Sequence, residues 1–462
     1  MSQKSGINRR AFLRNAGLTA VVGAVGSRTS LAGGMIDPAA DPANGKYDFD
    51  TPYSRIGTDT TKWDAPMKTY KLDHLVAGMG IADMDFRAAP SITKALQDRL
   101  KHECWGYASA PAAFNEGIIA WNKKRYGVTV DPTMLGITTG VHPGLIAALK
   151  AVSPVGSKVL LITPTYNGFY GDLTASGTKA EESQMKFANG KFSIDFEDLE
   201  RRMSDETKSI LLCNPQNPTG NCWSMEDLTT LGAMCLKHKV VVLADEIHCD
   251  WVTKGQKYTP FSTIPNQDIV NNSITFKAAS KSFGLAAMKC AWFFTTNRDL
   301  FNATRANNRA DLTDLGRIAS QAAYAGGEAW LNQCVEYIDG NHDFVQSYIN
   351  KNMSLIKIGA KAQGTYLTWL DVSGLAAKIG AKEAAAEATK AQAATGRGNM
   401  PARVVTPEAI VEKWLAEKAF VAMNAGTSYG KGGENHMRMN IALSRKTLEA
   451  ALVSMSTAMS KL

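Results

Sequence analysis

At 462 residues the chain is long for one domain and is expected to hold a large domain and a smaller one. Its 45% hydrophobic and 20% charged residues are those of an ordinary soluble globular protein with a substantial core. The net charge of +8 is spread without a basic run or an aromatic-interleaved patch, which excludes the usual nucleic-acid binders and leaves room for affinity toward small anions. The seven cysteines include no CxxC pair, so neither a zinc site nor a disulfide framework is expected.

At the N-terminus, Asn8-Arg9-Arg10-Ala11-Phe12-Leu13-Arg14 precedes a short apolar stretch (16–25) and a small-residue region (27–34). This order resembles a twin-arginine export signal over residues 1–34, with an amphipathic basic leader as the alternative. The apolar stretch is too short to cross a bilayer as an ordinary helix. Such a signal implies a periplasmic protein, carried in its folded state by the twin-arginine machinery.

Residues 35–85 read as a linker and an irregular N-terminal arm. A helix is expected from Pro90, because proline suits a helix start. Apolar, β-rich runs then recur at 159–162, 209–213, 240–244 and 273–276, separated by helical patterns such as 225–238. Fully apolar strands alternating with helices predict an α/β fold with a mostly parallel central sheet and helices on both faces, over 86–330. A smaller α+β domain is expected over 331–462, with a β segment at 364–370. The Ala-, Lys- and Glu-rich stretch 376–395 predicts a solvent-facing helix, stopped by Gly396-Arg397-Gly398-Asn399.

In such sheets the ligand sits beyond the carboxyl ends of the strands. Four polar clusters follow the apolar runs: Thr163-Pro164-Thr165-Tyr166, the 214–220 turn, 245–248, and Ser280-Lys281. Together they meet the demands of pyridoxal-phosphate (PLP) chemistry. Lys281 supplies the Schiff-base amine, Asp245 a carboxylate for the ring nitrogen, and Asn217 an amide for the ring oxygen. Thr139-Gly140-Val141 opens a helix whose free N–H groups and positive dipole end suit a phosphate. Ser280 and the cation of Lys289 are further phosphate candidates. Tyr166 can stack on the ring, though a core aromatic is the bland reading. Arg438 can hold a substrate carboxylate in a two-pronged pair, a surface ion pair being its alternative. His248 reads equally as a structural histidine or as a group beside the cofactor.

With Lys62-Trp63-Asp64, Ala82-Asp83-Met84-Asp85-Phe86, Trp105-Gly106-Tyr107, Asn214-Pro215-Gln216-Asn217-Pro218-Thr219-Gly220, Asp245-Glu246-Ile247-His248 and Ser280-Lys281-Ser282-Phe283 in order, the chain resembles fold-type-I PLP enzymes of the class I/II aminotransferase superfamily. Within it, the chain is most similar to the cystathionine β-lyase-type C–S lyases. The resemblance runs from about residue 47 to the C-terminus. It implies a homodimer with active sites at the interface, where Tyr107 reaches the partner's cofactor phosphate. His248 stands where ordinary aminotransferases carry tyrosine, and it favours the lyase branch. The chain departs from the pattern at Gly284-Leu285-Ala286-Ala287, which lacks an asparagine common after the lysine motif. It departs again at Lys289, where aminotransferases often have arginine, and in an insertion near 376–408. The expected reaction is β-cleavage of cystathionine or a cysteine S-conjugate, with amino transfer to a 2-keto acid as the alternative. A non-catalytic relative is the third reading; the intact Lys281, Asp245 and Arg438 set argues against it.

Overall fold

A computed structural model describes residues 40–188, 190–394 and 404–462. The expected export signal and the 396–399 helix stop lie outside the described residues. The four apolar runs form strands, and three further ones join them: β1 (Leu135–Thr138), β2 (Lys158–Thr163), β3 (Lys179–Gln184), β4 (Thr207–Cys213), β5 (Val241–Asp245), β6 (Ser273–Lys277) and β7 (Ala291–Phe294). They make one seven-stranded sheet in the order β1-β7-β6-β5-β4-β2-β3. From β6 through β3 every pairing is parallel, while β7 runs antiparallel to both of its neighbours. The β3 strand carries Lys-Ala-Glu-Glu-Ser-Gln, so its charges hide the strand pattern while protecting the open edge of the sheet.

Helix α1 (Pro90–Leu100) packs on the helix Asp314–Gly326, and α2 (Val141–Val152), α3 (Gly168–Ser176) and α4 (Met225–Lys237) cover the sheet. The first starts at Pro90 as expected. The fourth is fixed by a capping box in which Ser224 and Asp227 satisfy each other's backbone N–H. Apolar residues of β2, β4 and β5 alternate between two buried clusters, one on each face of the sheet, while Ile274 and Phe276 of β6 both join one of them.

The long α5 (Glu328–Asn352) runs through the position expected to divide the two domains, and α6 (Arg445–Met459) ends the chain. Between them lies a four-stranded antiparallel sheet, β8 (Lys357–Ile358), β9 (Leu367–Asp371), β10 (Asn424–Ala425) and β11 (His436–Asn440), in the order β8-β9-β11-β10. The strand expected at 364–370 begins later. Thr365 takes a positive φ of 70°, and its N–H donates to the Trp251 carbonyl at 2.8 Å, so 364–366 serve as a tie to the segment after β5. The single solvent-facing helix expected at 376–395 is also corrected. It is two helices, Ser373–Lys378 and Ala381–Ala394, broken at Gly380 with φ +64°. Leu375, Ala381 and Ala385 are buried, so one face of these helices is packed against the protein and not turned to solvent.

At the carboxyl ends of β5 and β6 lies a buried ionic knot. Glu246 Oε2 sits 3.6 Å from Lys277 Nζ, and both residues are almost wholly buried. The Phe261 N–H (2.8 Å) and the Tyr258 hydroxyl donate to the same carboxylate. The Lys277 Nζ also stands 4.0 Å from the centre of the Tyr126 ring. Glu246→Ala strips a buried ammonium of its carboxylate and is expected to cost about 3–5 kcal/mol in urea unfolding. A loss below about 1 kcal/mol, the scale of an exposed pair, would contradict that reading.

Candidate active site

All four polar clusters arrive at the carboxyl ends of adjacent parallel strands, β6, β5, β4 and β2. Lys281 follows β6 on a one-turn helix, Ala279–Ser282, that is held at three points. The Lys281 carbonyl accepts from Trp251 Nε1 at 2.9 Å, and the Ser282 hydroxyl donates to Asp250 at 2.5 Å. The Lys281 amine itself donates to the Ala82 carbonyl at 2.7 Å. Burial pulls that amine down to about 8; Arg438 and Lys289 add to the shift, against the pull of Asp83 and Asp245.

Asp245 ends β5 and is 3% exposed. Burial pushes its carboxyl up to about 6. Among the described residues the Ile247 N–H, at 3.1 Å, is its hydrogen-bond donor. A buried carboxylate with so little support suits a protonated ring nitrogen as partner.

Arg438 reaches the cleft from β11. Its terminal nitrogens donate to Asn217 Oδ1 at 3.0 Å and to the Gly80 carbonyl at 2.5 Å, while Nε has no partner among the described residues. Two of the five N–H groups are used, and the rest remain for a carboxylate. Asn217 spends its oxygen on Arg438, so its amide nitrogen is left as a donor toward the ring oxygen. His248 is buried, with Nδ1 unpartnered among the described residues, and burial together with Lys281 and Arg438 drives its pKa well below the usual range. It is therefore a neutral imidazole at working pH.

Gly140 caps α2, a helix of 12 residues, so the N–H groups of its first turn, Val141 included, are free for an anion next to Thr139. Ser280 adjoins Lys281, and its hydroxyl makes no hydrogen bond among the described residues. Lys289 is exposed in a left-handed conformation (φ 54°), near enough to Lys281 to depress its pKa. Tyr166 closes the cluster after β2, its ring edge-on to Phe169 at 5.5 Å. Tyr107 is not brought in by its own chain: it is fully exposed, in an irregular stretch between α1 and the helix Ala112–Tyr126.

Several residues of the cleft were not anticipated. His142, directly after Val141, bonds both Tyr166 and Asp172. Tyr366 donates to the Ala82 carbonyl at 3.1 Å, and Asn440 Nδ2 donates to the carbonyls of Ile81 (2.5 Å) and Asp83 (2.6 Å). The carbonyls of 80–83 thus line the cleft floor, and Lys62, fully buried and bonded to Asp85 at 2.9 Å, holds that segment. A titratable residue at a helix start was a usable signal for His142; isolated aromatics and backbone carbonyls leave none.

A half-buried lysine with a lowered pKa, a buried carboxylate, an arginine fork and a helix N-terminus in one cleft fit PLP, and the orphaned His248 Nδ1 and Arg438 Nε fit a bound cofactor and substrate. Fold and site together define a PLP-dependent enzyme of fold type I. The chain belongs to the aminotransferase class I and II family, which it matches over residues 76–455. It is 31% identical to cystathionine beta-lyase PatB of Bacillus subtilis, over 89% of this chain and 100% of PatB. Cystalysin from Treponema denticola, whose structure contains pyridoxal 5'-phosphate, superposes with a TM-score of 0.79 at 25% identity, over 90% of this chain and 99% of cystalysin. The PLP-bound C-S lyase from Staphylococcus hominis gives 0.77 at 26%, over 89% and 98%.

Proposed function

We propose that the protein is a PLP-dependent C–S β-lyase that cleaves cystathionine or a cysteine S-conjugate to pyruvate, ammonia and a thiol. The observation that carries this reading is the similarity to PatB along its whole length, with every cleft residue described above except Lys62 inside the matched family region. When bound, PLP supplies an electron sink for the carbanion left as the Cα proton departs. The chain does the rest. Arg438 would orient the substrate carboxylate, and Asp245 would hold the ring nitrogen in its protonated form. The Lys281 amine, at about 8, is partly unprotonated near neutral pH and can take the Cα proton.

Amino transfer would use the same residues, since fold does not decide reaction. The buried neutral His248, in place of the tyrosine that ordinary aminotransferases carry, supports elimination. The exposed Tyr107 supports a homodimer in which it reaches the partner's cofactor phosphate. The paired arginines near the N-terminus support export to the periplasm.

The test offers L-cystathionine and a cysteine S-conjugate to the PLP-loaded protein without any keto acid. Sustained release of pyruvate and thiol, with cofactor absorbance returning to its starting form, is the expected result. Stoichiometric conversion of the cofactor to its pyridoxamine form, reversed only by a 2-keto acid, would replace the lyase with an aminotransferase.

A further inference from the structure

His142 is built into the cleft in a way the lysine, carboxylate and arginine chemistry does not use. Its Nδ1 lies 2.8 Å from both carboxylate oxygens of Asp172, and its Nε2 lies 3.1 Å from the Tyr166 hydroxyl. Asp172 is 3% exposed, on α3. Its grip on Nδ1 fixes the ring's orientation and leaves Nε2 to face the phenol. Gly168 makes room for the pair: a Cβ there would stand 2.5 Å from His142 Cε1 and 2.7 Å from Tyr166 Cε1. The side chain of His142 is 44% exposed, so its proton can be restored from water.

We propose that Asp172, His142 and Tyr166 form a proton relay that serves the departing sulfur. The idea rests on the lyase reading above. As the Cβ–S bond breaks, its electron pair goes to sulfur, which takes the Tyr166 hydroxyl proton. The Nε2 proton of the imidazolium passes to the phenolate oxygen. Neutral His142 keeps its Nδ1–H on Asp172 and recovers a proton from solvent. The balance is one proton from water delivered to one thiolate, with no redox change. Tyr166 is the catalytic residue of this step, and His142 and Asp172 are positioning residues that act through it.

The charged and titratable groups facing His142 are Asp172, Tyr166, Asp245 and Lys281. The hydrogen bond to Asp172 raises the His142 pKa, with help from Asp245 and against burial and Lys281. The imidazolium is the donor, so turnover of substrates that need the relay falls as pH rises through that pKa.

The experiment compares PLP-loaded wild type, H142N and D172N on cysteine S-conjugates whose leaving thiols range from acidic aryl to basic alkyl. A basic thiolate needs the proton and an acidic one does not. H142N is expected to lose about 10²-fold on alkyl conjugates and little on aryl ones. D172N is expected to move the alkaline limb for alkyl conjugates to lower pH. Its His142 pKa, read by nitrogen NMR of histidine-labelled loaded protein, is expected to move the same way. An equal loss by H142N on both classes, or an unmoved limb and imidazole pKa in D172N, overturns the relay while leaving the lyase intact. Absence of thiol release by wild type itself overturns the lyase reading, and the relay to sulfur falls with it.

Discussion

Replacing Lys281 by alanine is expected to lower turnover by at least about 10²–10⁴-fold, the scale of a positioned proton-transfer group, and to leave the fold intact. Both halves follow from the surroundings. Among the described residues the amine makes one hydrogen bond, to the Ala82 carbonyl, and that oxygen also accepts from Tyr366 at 3.1 Å. Truncation therefore strands no buried acceptor, and it removes an ammonium whose desolvation is unfavourable. The backbone of 281 stays tied to Trp251 and its neighbour Ser282 to Asp250. The variant should unfold at a denaturant concentration close to that of wild type. It should still take up PLP through the remaining contacts, but reversibly, so that dialysis removes it. Added small primary amines should restore part of the Cα-proton step, because what is missing is an amine in a cavity of the right size. Turnover within tenfold of wild type would mean that Lys281 is not the base.

Loss of Arg438 is the second large effect. Its guanidinium is held by Asn217 Oδ1 at 3.0 Å and the Gly80 carbonyl at 2.5 Å, with the Tyr429 ring 4.9 Å from Cζ. That fixing costs little on binding because the fork is already in place. Two charge-assisted hydrogen bonds to a carboxylate, at about 1.5–3 kcal/mol each, give roughly 10²–10⁴-fold in kcat/KM. Arg438→Ala should lose that much. Arg438→Lys should recover only part, since an ammonium cannot reproduce the planar fork or keep the bond to Asn217 in the same geometry. A substrate with a carboxamide in place of the carboxylate separates recognition from folding. Wild type should reject it strongly, and Arg438→Ala should treat acid and amide nearly alike. Equal discrimination by both proteins would assign carboxylate binding to another residue.

Strand ends were the most legible feature. Runs such as Val-Val-Leu-Ala and Ile-Leu-Leu-Cys are apolar on both faces because helices cover both sides of the sheet, so the pattern survives in one dimension. Asp245 and Lys281 stand at or just after such runs, and the turn holding Asn217 follows another. The less legible strands are short or at an edge. The β3 strand is charged because half of it faces water, and β7, Ala-Trp-Phe-Phe, is too short to separate from a loop. The helix break at Gly380 and the buried faces of Ala381 and Ala385 depended on neighbours that the Ala-rich composition does not name.

By itself the sequence determined the class of chemistry and named the candidate residues for it, because apolar runs and the polar clusters after them are local patterns. Only the tertiary structure decided which groups meet. Arg438 and Asn217 are 221 positions apart and touch because β11 of the small sheet delivers one to the turn after β4. The carbonyls of 80–83 become the cleft floor through Asn440 and Lys281, and His142 gains Asp172 and Tyr166 through the packing of α2 on α3. Such meetings are set by the geometry of closure between distant elements, and no periodicity along the chain encodes them.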